Sequence, residues 1–395
     1  MATSDLKHEC ARLSPLLVGW RRERHQLPEL GFEEQRTAEF IEARLRELGI
    51  EPWTGVAVTG LVGILRAADP RGKAVLLRAD MDALPIQEVE GREYGSQVPG
   101  KMHACGHDGH MAMLLGAATL LAARRAELTR DVIFCFQPGE EGHGGALKMI
   151  EEGLLERTDP GSAFALHLWS PFEAGTAHVR VGPTMAAQDE FKARVVGRGG
   201  HGALPHTTRD PIVAAAQAVS ALQAVVSRAV DPVEPAVVTV GSLHAGSAPN
   251  VIPDFAELTG TLRSFSPEVR ELLRERVPQT IGDAVRAGGC ELEFELEPGY
   301  PAVVNDASAV AAARLAAGEV FGAGQVHEPS PLAAAEDFAY FLERVPGAFI
   351  LVGAGNSERG ITAPHHSPRF DIDESVLTLG AELLARLAIQ NVHSD

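Results

Sequence analysis

Between residues 186 and 298 the apolar pattern spells out a complete β-α-β-β-α-β unit. Its position inside a longer alternation of strands and helices constrains the fold more than any other feature. Strands are expected at Glu190–Val196, Ala236–His244, Ala256–Ser264 and Cys290–Glu297, with helices at Asp210–Ala229 and Pro267–Ala287. Gly182-Pro183 and Pro298-Gly299 punctuate the two ends. Before the unit, apolar runs at Gly60–Leu65, Lys73–Arg78, Asp131–Phe136 and Ala163–Leu168 read as strands. Ser14–Leu48, Gly109–Leu128 and Gly144–Glu152 read as helices. After it come helices at Ser308–Phe321, Ala335–Glu343 and Glu374–Ile389 and a strand at Ala348–Val352. The pattern predicts an α/β fold with helices on both faces of one sheet, interrupted by a ferredoxin-like α+β insertion. The boundaries are residues 1–185 and 299–395 for the first unit and 186–298 for the insertion.

A chain of 395 residues fits about two domains. Its net charge of −18 argues against nucleic acid and anionic lipid as partners, because both are repelled by an acidic surface. A small anionic substrate stays open, since one local Arg overrides an average field. The four cysteines, Cys10, Cys105, Cys135 and Cys290, form no C-x-x-C pair and suit a reducing compartment. Met1–Leu17 is interrupted by Asp5 and Glu9 and lacks a signal-peptide core, and no stretch is expected to reach the roughly 18–20 apolar residues that a membrane span needs. The expectation is a soluble cytoplasmic protein.

Four separated segments carry potential metal ligands: His103-Ala-Cys105-Gly-His107-Asp108-Gly-His110, Glu140-Glu141, His167 and His365-His366. A lone His167 or one pair of glutamates is ordinary. Together they offer the thiolate, imidazole and carboxylate donors that Zn²⁺ and its neighbours select. Most lie where an expected strand ends, which is where open α/β sheets gather ligands. Adjacent carboxylates divide labour naturally: one binds metal, while the other faces a water acidified to about pKa 7 and takes its proton. We assign Glu140 as base and Glu141 as ligand; the reverse satisfies the same chemistry.

These segments, with Arg78-Ala-Asp80-Met-Asp82-Ala-Leu-Pro85, Gln137-Pro-Gly-Glu140-Glu141 and Ala165-Leu-His167, resemble the co-catalytic metal aminoacylase and carboxypeptidase family. The branch resembled is that of hippurate hydrolases, N-acyl-amino-acid amidohydrolases and auxin-conjugate hydrolases. The resemblance runs from about His25 to Leu387. It implies a zinc-peptidase-like mixed sheet, with the insertion serving as lid and dimer surface. It implies metal ligands Cys105, His107, Glu141, His167 and His366, with Glu140 as general base. His366 is preferred to His365 because the ligand directly precedes the Ser367-Pro368 step. Other branches carry a metal-binding His-x-Asp where this chain reads Asp80-Met81-Asp82, and a bridging Asp where Cys105 stands. Asp82 is therefore expected to orient a ligand imidazole rather than bind metal.

In the insertion, the resemblance makes His201 an oxyanion donor that in related dimers serves the neighbouring subunit. It makes Asn250 and Arg263 the holders of a substrate carboxylate, a role that suits the guanidinium fork. The implied cofactors are two divalent ions per subunit, drawn from Zn²⁺, Mn²⁺, Co²⁺ or Ni²⁺. The implied reaction is amide hydrolysis of small N-acyl amino acids by a homodimer or higher homo-oligomer. A carboxypeptidase or dipeptidase on the same site is the rival activity. A catalytically silent metal-binding protein is the rival class, against which the retained Glu140 argues.

Overall fold

The computed structural model describes residues 2–390. Its principal strands are β1 Trp53–Val56, β2 Gly60–Leu65, β3 Ala74–Asp80, β4 Val132–Gln137, β5 Pro160–Glu173, β6 Ala177–His178, β7 Ala187–Val196, β8 Ala236–Ala245, β9 Phe255–Ser264, β10 Glu291–Pro298, β11 Val326–His327 and β12 Gly347–Gly355. The principal helices are α1 Ala2–Arg12, α2 Ser14–Gln26, α3 Gln35–Glu47, α4 His107–Ala123, α5 Pro211–Ala224, α6 Pro267–Ala287, α7 Ala307–Phe321 and α8 Val376–Ile389. They form two compact units: Met1–Thr184 with Val304–Ser330 and Asp337–Asp395, and Met185–Val303 with Pro331–Glu336.

The larger unit is built on an eight-stranded mixed sheet in the order β1-β2-β4-β3-β5-β12-β6-β11. Its centre is parallel: β3 pairs with β4 and β5, and β12 with β5. Every residue of β3, β4 and β12 is buried, which explains their unbroken apolar runs; central parallel strands are covered on both faces. Helix α4 is apolar all round and buried along nearly its whole length. Its neighbours approach it over glycines. A Cβ at Gly116 would lie 2.8 Å from Leu17 of α2, and one at Gly380 of α8 would lie 2.0 Å from the Met113 sulfur.

The smaller unit is a four-stranded antiparallel sheet in the order β8-β9-β7-β10, with α5 and α6 packed on one face. This is the strand order of a β-α-β-β-α-β unit. Asp210 and Ser266 cap the two helices through Ile212 N–H and Val269 N–H respectively. The segment Pro331–Glu336 joins this unit through Ala186 N–H, which donates to Leu332 O at 3.0 Å and Ala334 O at 2.9 Å. Nothing in its composition signals that return.

Three expectations need correction. Ser14–Leu48 is not one helical stretch: α2 stops at Gln26 and α3 starts at Gln35. Pro28 biases Leu27 away from helical geometry, and Phe32 takes a left-handed φ of 64° in the turn between them. Ala335–Glu343 is helical only over Ala339–Leu342, because Asp337 is drawn into bonds with Arg78, Gln137 and Ala146. Finally, Pro211–Ala229 is long and apolar enough to cross a membrane by length and composition alone. Gln217, Ser220 and Gln223 break it into shorter apolar runs in the sequence. Here its buried side packs on the sheet of the smaller unit through Ala214, Ala215, Ala218, Leu222 and Val225.

Candidate metal centre

The C-terminal ends of β3 and β4 lead into Asp80-Met-Asp82 and Glu140-Glu141, the middle of the longer β5 carries His167 to the same place, and the turn into α4 adds Cys105 and His107. Gly106 makes that turn possible with a left-handed φ of 91°. Cys105, His107 and His167 offer ligand atoms within 4.8 Å of one another, as do Cys105, Glu141 and His366, and His107, Glu140 and Glu141. His366 reaches the cluster from the C-terminal third. Its φ is 62°, and its N–H donates to Ala104 O at 2.8 Å, tying the segment to the Cys105 turn. A left-handed non-glycine residue at such a place marks backbone strain held by its surroundings.

Hydrogen bonds fix which imidazole nitrogens are available. His107 Nδ1 donates to Asp82 O at 2.8 Å, and His167 Nδ1 donates to Leu168 O at 2.9 Å. Each therefore turns its Nε2 to the cluster. Among the described residues, neither the buried His107 Nε2 nor Glu141 Oε1 has a hydrogen-bond partner. The two lie 4.0 Å apart, and His366 Nε2 stands 3.2 Å from the same Glu141 oxygen. Buried polar atoms left unpaired and converging on one point are what a cation between them would satisfy.

The electrostatics agree. Burial opposes a charge on His107, yet Asp80, Asp82 and Glu141 push its pKa up to about 10. Burial and the negative charges of Glu141, Glu140 and Asp80 push the Cys105 thiol well up. The cluster is thus a concentration of negative charge that calls for a cation. The donor set of one thiol, three imidazoles and one carboxylate fits a pair of divalent metals, with Cys105 common to both outer groups.

The neighbouring residues hold the frame. Asp82 reaches His107 through its main-chain carbonyl; its carboxylate oxygen Oδ1 stands 3.4 Å from Nδ1, while Oδ2 accepts from Glu141 N–H at 2.9 Å. His110, though in the ligand-rich motif, has both nitrogens engaged: Nδ1 donates to Asp80 at 2.6 Å and Nε2 accepts from Leu168 N–H at 2.9 Å. His365 donates to Leu168 O at 2.9 Å and stacks on Trp169, so of the pair only His366 joins the donor group. Asp80 was legible only as part of a motif. It anchors His110 and also takes Arg78 Nη1 at 2.6 Å, and Arg78 in turn bonds Gln137 and Asp337. Charged residues this deeply buried are rarely kept without such partners.

In the smaller unit, His201 and Asn250 come together in a short ribbon. His201 pairs with Val251, and Gly202 N–H donates to Asn250 O at 2.8 Å. His201 Nδ1 accepts from Ala203 N–H at 3.1 Å, which leaves the proton on Nε2. Arg263 is elsewhere. It sits at the opposite end of β9 from the ribbon and donates to Ala333 O at 2.8 Å. From Phe255 to Arg263 an extended strand covers about 26 Å. Within one chain, the ribbon with Asn250 and the side chain of Arg263 therefore stand at opposite ends of β9.

An α/β unit with a thiol–imidazole–carboxylate cluster at its strand ends, joined to a ferredoxin-like unit, defines a class of metal-dependent hydrolase. Residues 76–390 match the model of peptidase family M20/M25/M40, and the chain belongs to that family. Among curated relatives, it is 42% identical to the Arabidopsis thaliana IAA-amino acid hydrolase ILR1-like 4, over 94% of this chain and 84% of that one. It is 41% identical to the Bacillus subtilis N-acetyl-L-cysteine deacetylase, over 97% and 90%. It is 38% identical to thermostable carboxypeptidase 1 of Saccharolobus solfataricus, over 98% of each. A solved Bacillus subtilis structure, described as a dinuclear metal binding peptidase from the M20 family, superposes with a TM-score of 0.82 at 36% identity, covering 96% of this chain and 98% of that one.

Proposed function

We propose that the protein hydrolyses the amide bond of small N-acyl-L-amino acids, releasing a carboxylic acid and a free amino acid. In this reading two divalent ions per subunit, Zn²⁺, Mn²⁺, Co²⁺ or Ni²⁺, are held by Cys105, His107, Glu141, His167 and His366. The observation that carries it is the convergence of those donors, with Glu140 beside them and two imidazole Nε2 atoms turned inward. A bound pair supplies Lewis acidity to the scissile carbonyl and lowers the pKa of a water towards about 7.

The chain's own residues do the rest. Glu140 takes the proton of the attacking water and returns it to the leaving nitrogen as the C–N bond breaks. Glu140 groups with His107 and Glu141 and also with Asp337, whereas Glu141 groups with the candidate ligands Cys105 and His366; that difference supports Glu141 as ligand and Glu140 as base. Asp82 orients His107 and Glu141. His201, its Nδ1 occupied by Ala203 N–H, donates from Nε2 to the developing oxyanion. Arg263 selects a free α-carboxylate.

The smaller unit is read as lid and dimer surface. The distance between Arg263 and the His201–Asn250 ribbon supports a division in which Arg263 serves its own subunit's site and the ribbon serves the neighbour's. Exposed Ile212 and Val213 on α5, and the edge position of β8, offer the apolar and hydrogen-bonding surface a second copy would cover. The four free cysteines fit a reducing compartment, and we assign the protein to the cytoplasm.

The test is a substrate panel on metal-stripped protein reloaded with each of the four ions. Hippurate and N-acetyl amino acids should be cleaved faster than dipeptides with a free amine. The reverse preference would favour the carboxypeptidase reading, to which the Saccharolobus relative lends weight. Metal uptake without turnover of any member would point to a silent scaffold.

A further inference from the structure

The turn that carries Glu140 contains four glycines in seven residues, Gly139 to Gly145. Gly139, Gly142 and Gly144 take left-handed φ values of 58°, 82° and 67°. A stretch so rich in glycine loses much backbone entropy on ordering, so something outside must hold it. Three buried carboxylates do so, each accepting one backbone N–H. Glu34 Oε1 takes Gly139 N–H at 3.0 Å, Asp82 Oδ2 takes Glu141 N–H at 2.9 Å, and Asp337 Oδ2 takes Ala146 N–H at 2.9 Å.

Asp82 and Asp337 have other partners in the site frame, His107 and Arg78. Glu34 lies outside the metal-ligating groups. Its second oxygen accepts from the Thr59 hydroxyl at 2.6 Å. The side chain is fully buried, an expensive place for a carboxyl group that does nothing. The same segment presses on Gly139 a second way, since a Cβ there would meet the Phe32 ring at 3.1 Å, and Phe32 itself holds a left-handed φ.

We propose that Glu34 is a positioning residue: by holding Gly139 N–H it fixes the adjoining Glu140 carboxylate relative to the scissile bond. The inference rests on Glu140 being the general base. Burial, opposed by the Thr59 hydroxyl and reinforced by the charge of Asp82, lifts the Glu34 pKa to about 7. Either protonation state keeps an oxygen that accepts from Gly139, so the clamp is geometric and an amide can replace it.

The test compares Glu34→Ala, Glu34→Gln and Glu140→Gln in the full-length metal-loaded protein, using whichever panel substrate is cleaved fastest. Glu34→Ala should lose about 10–100-fold in kcat, the scale of a 1 Å misplacement, with KM changed less than about 2-fold and metal content retained. Glu34→Gln should recover kcat to within about 3-fold. In a Glu140→Gln background, adding Glu34→Ala should change the residual rate less than about 2-fold, because the two residues act as one unit. In metal-free protein, amide exchange should quicken across Gly139–Gly145 in Glu34→Ala while β3 and β4 stay protected. Unchanged kcat or unchanged exchange in Glu34→Ala overturns the proposal, as does a full additional loss on top of Glu140→Gln. So does Glu34→Gln failing as badly as Glu34→Ala with an undiminished melting temperature. Near-normal turnover by Glu140→Gln alone instead removes the base assignment on which the proposal stands.

Discussion

Glu140 and Glu141 are adjacent, yet the proposed function gives them different tasks. Gly139 precedes the pair and Gly142 follows it, both in left-handed geometry that frees the backbone to aim two neighbouring carboxylates apart. Glu140→Gln should therefore keep its metal, measured by elemental analysis, and lose at least about a thousandfold in kcat. His103 makes a separate prediction. It is buried beside the Cys105 turn, and neither ring nitrogen has a hydrogen-bond partner among the described residues. Burial lowers its pKa to about 3. Between that value and the ordinary 6.5, the unfolded chain binds a proton that the folded chain refuses, so stability rises with pH across this window and is lost as pH falls through it. His103→Leu should flatten that dependence in urea melts of the metal-free protein between pH 6.5 and about 4. The motif around residues 103–110 named the right neighbourhood from sequence. The resemblance singled out His107 among its histidines; what was not legible is how they are held, since the Asp82 carbonyl that turns His107 and the Leu168 N–H that occupies His110 come from distant segments.

At the scale of elements, α4 is gripped at its first turn. Arg21 of α2 is fully buried and donates to Asp108 at 2.8 Å, to Asp371 at 2.9 Å and to Glu374 at 3.2 Å. His25 adds a bond to Asp108 at 2.8 Å. One guanidinium thus ties α2, the start of α4 and the approach to α8. Arg21→Met should destabilise the protein by about 3–5 kcal/mol, because it leaves buried carboxylates without their counter-charge. Chemical denaturation measures it; a loss below about 1 kcal/mol would mean that water reaches these carboxylates. Sequence periodicity located most helices and strands to within a few residues, and α6 over its whole length, since amphipathic spacing and caps are local. It failed at Leu27–Glu34 and at Ala335–Glu343, where a left-handed Phe32 and the buried bonds of Asp337 override local preference.

For the whole molecule, the strand order of the smaller unit followed from the order of its elements alone. The separation of Arg263 from Asn250 did not, because the two motifs are near neighbours in sequence and only the run of β9 sets them apart. That separation makes a prediction at the level of assembly. Glu140→Gln and His201→Ala should each be nearly inactive. Unfolded, mixed in equal amounts and refolded together, they should recover about a quarter of wild-type activity, since half the dimers are mixed and each mixed dimer holds one complete site. No recovery, with dimers demonstrated by sedimentation, would place His201 in its own subunit's site.

The strained His366 has one more consequence. It belongs to the part of the chain that follows the smaller unit, whereas Cys105, His107, Glu141 and His167 all precede it. During translation, a nascent chain can therefore assemble only one side of the cluster and must leave it incomplete while the entire insertion is made. On the assignment proposed above, tight metal capture becomes a checkpoint for a finished polypeptide, and products of premature termination would emerge without it.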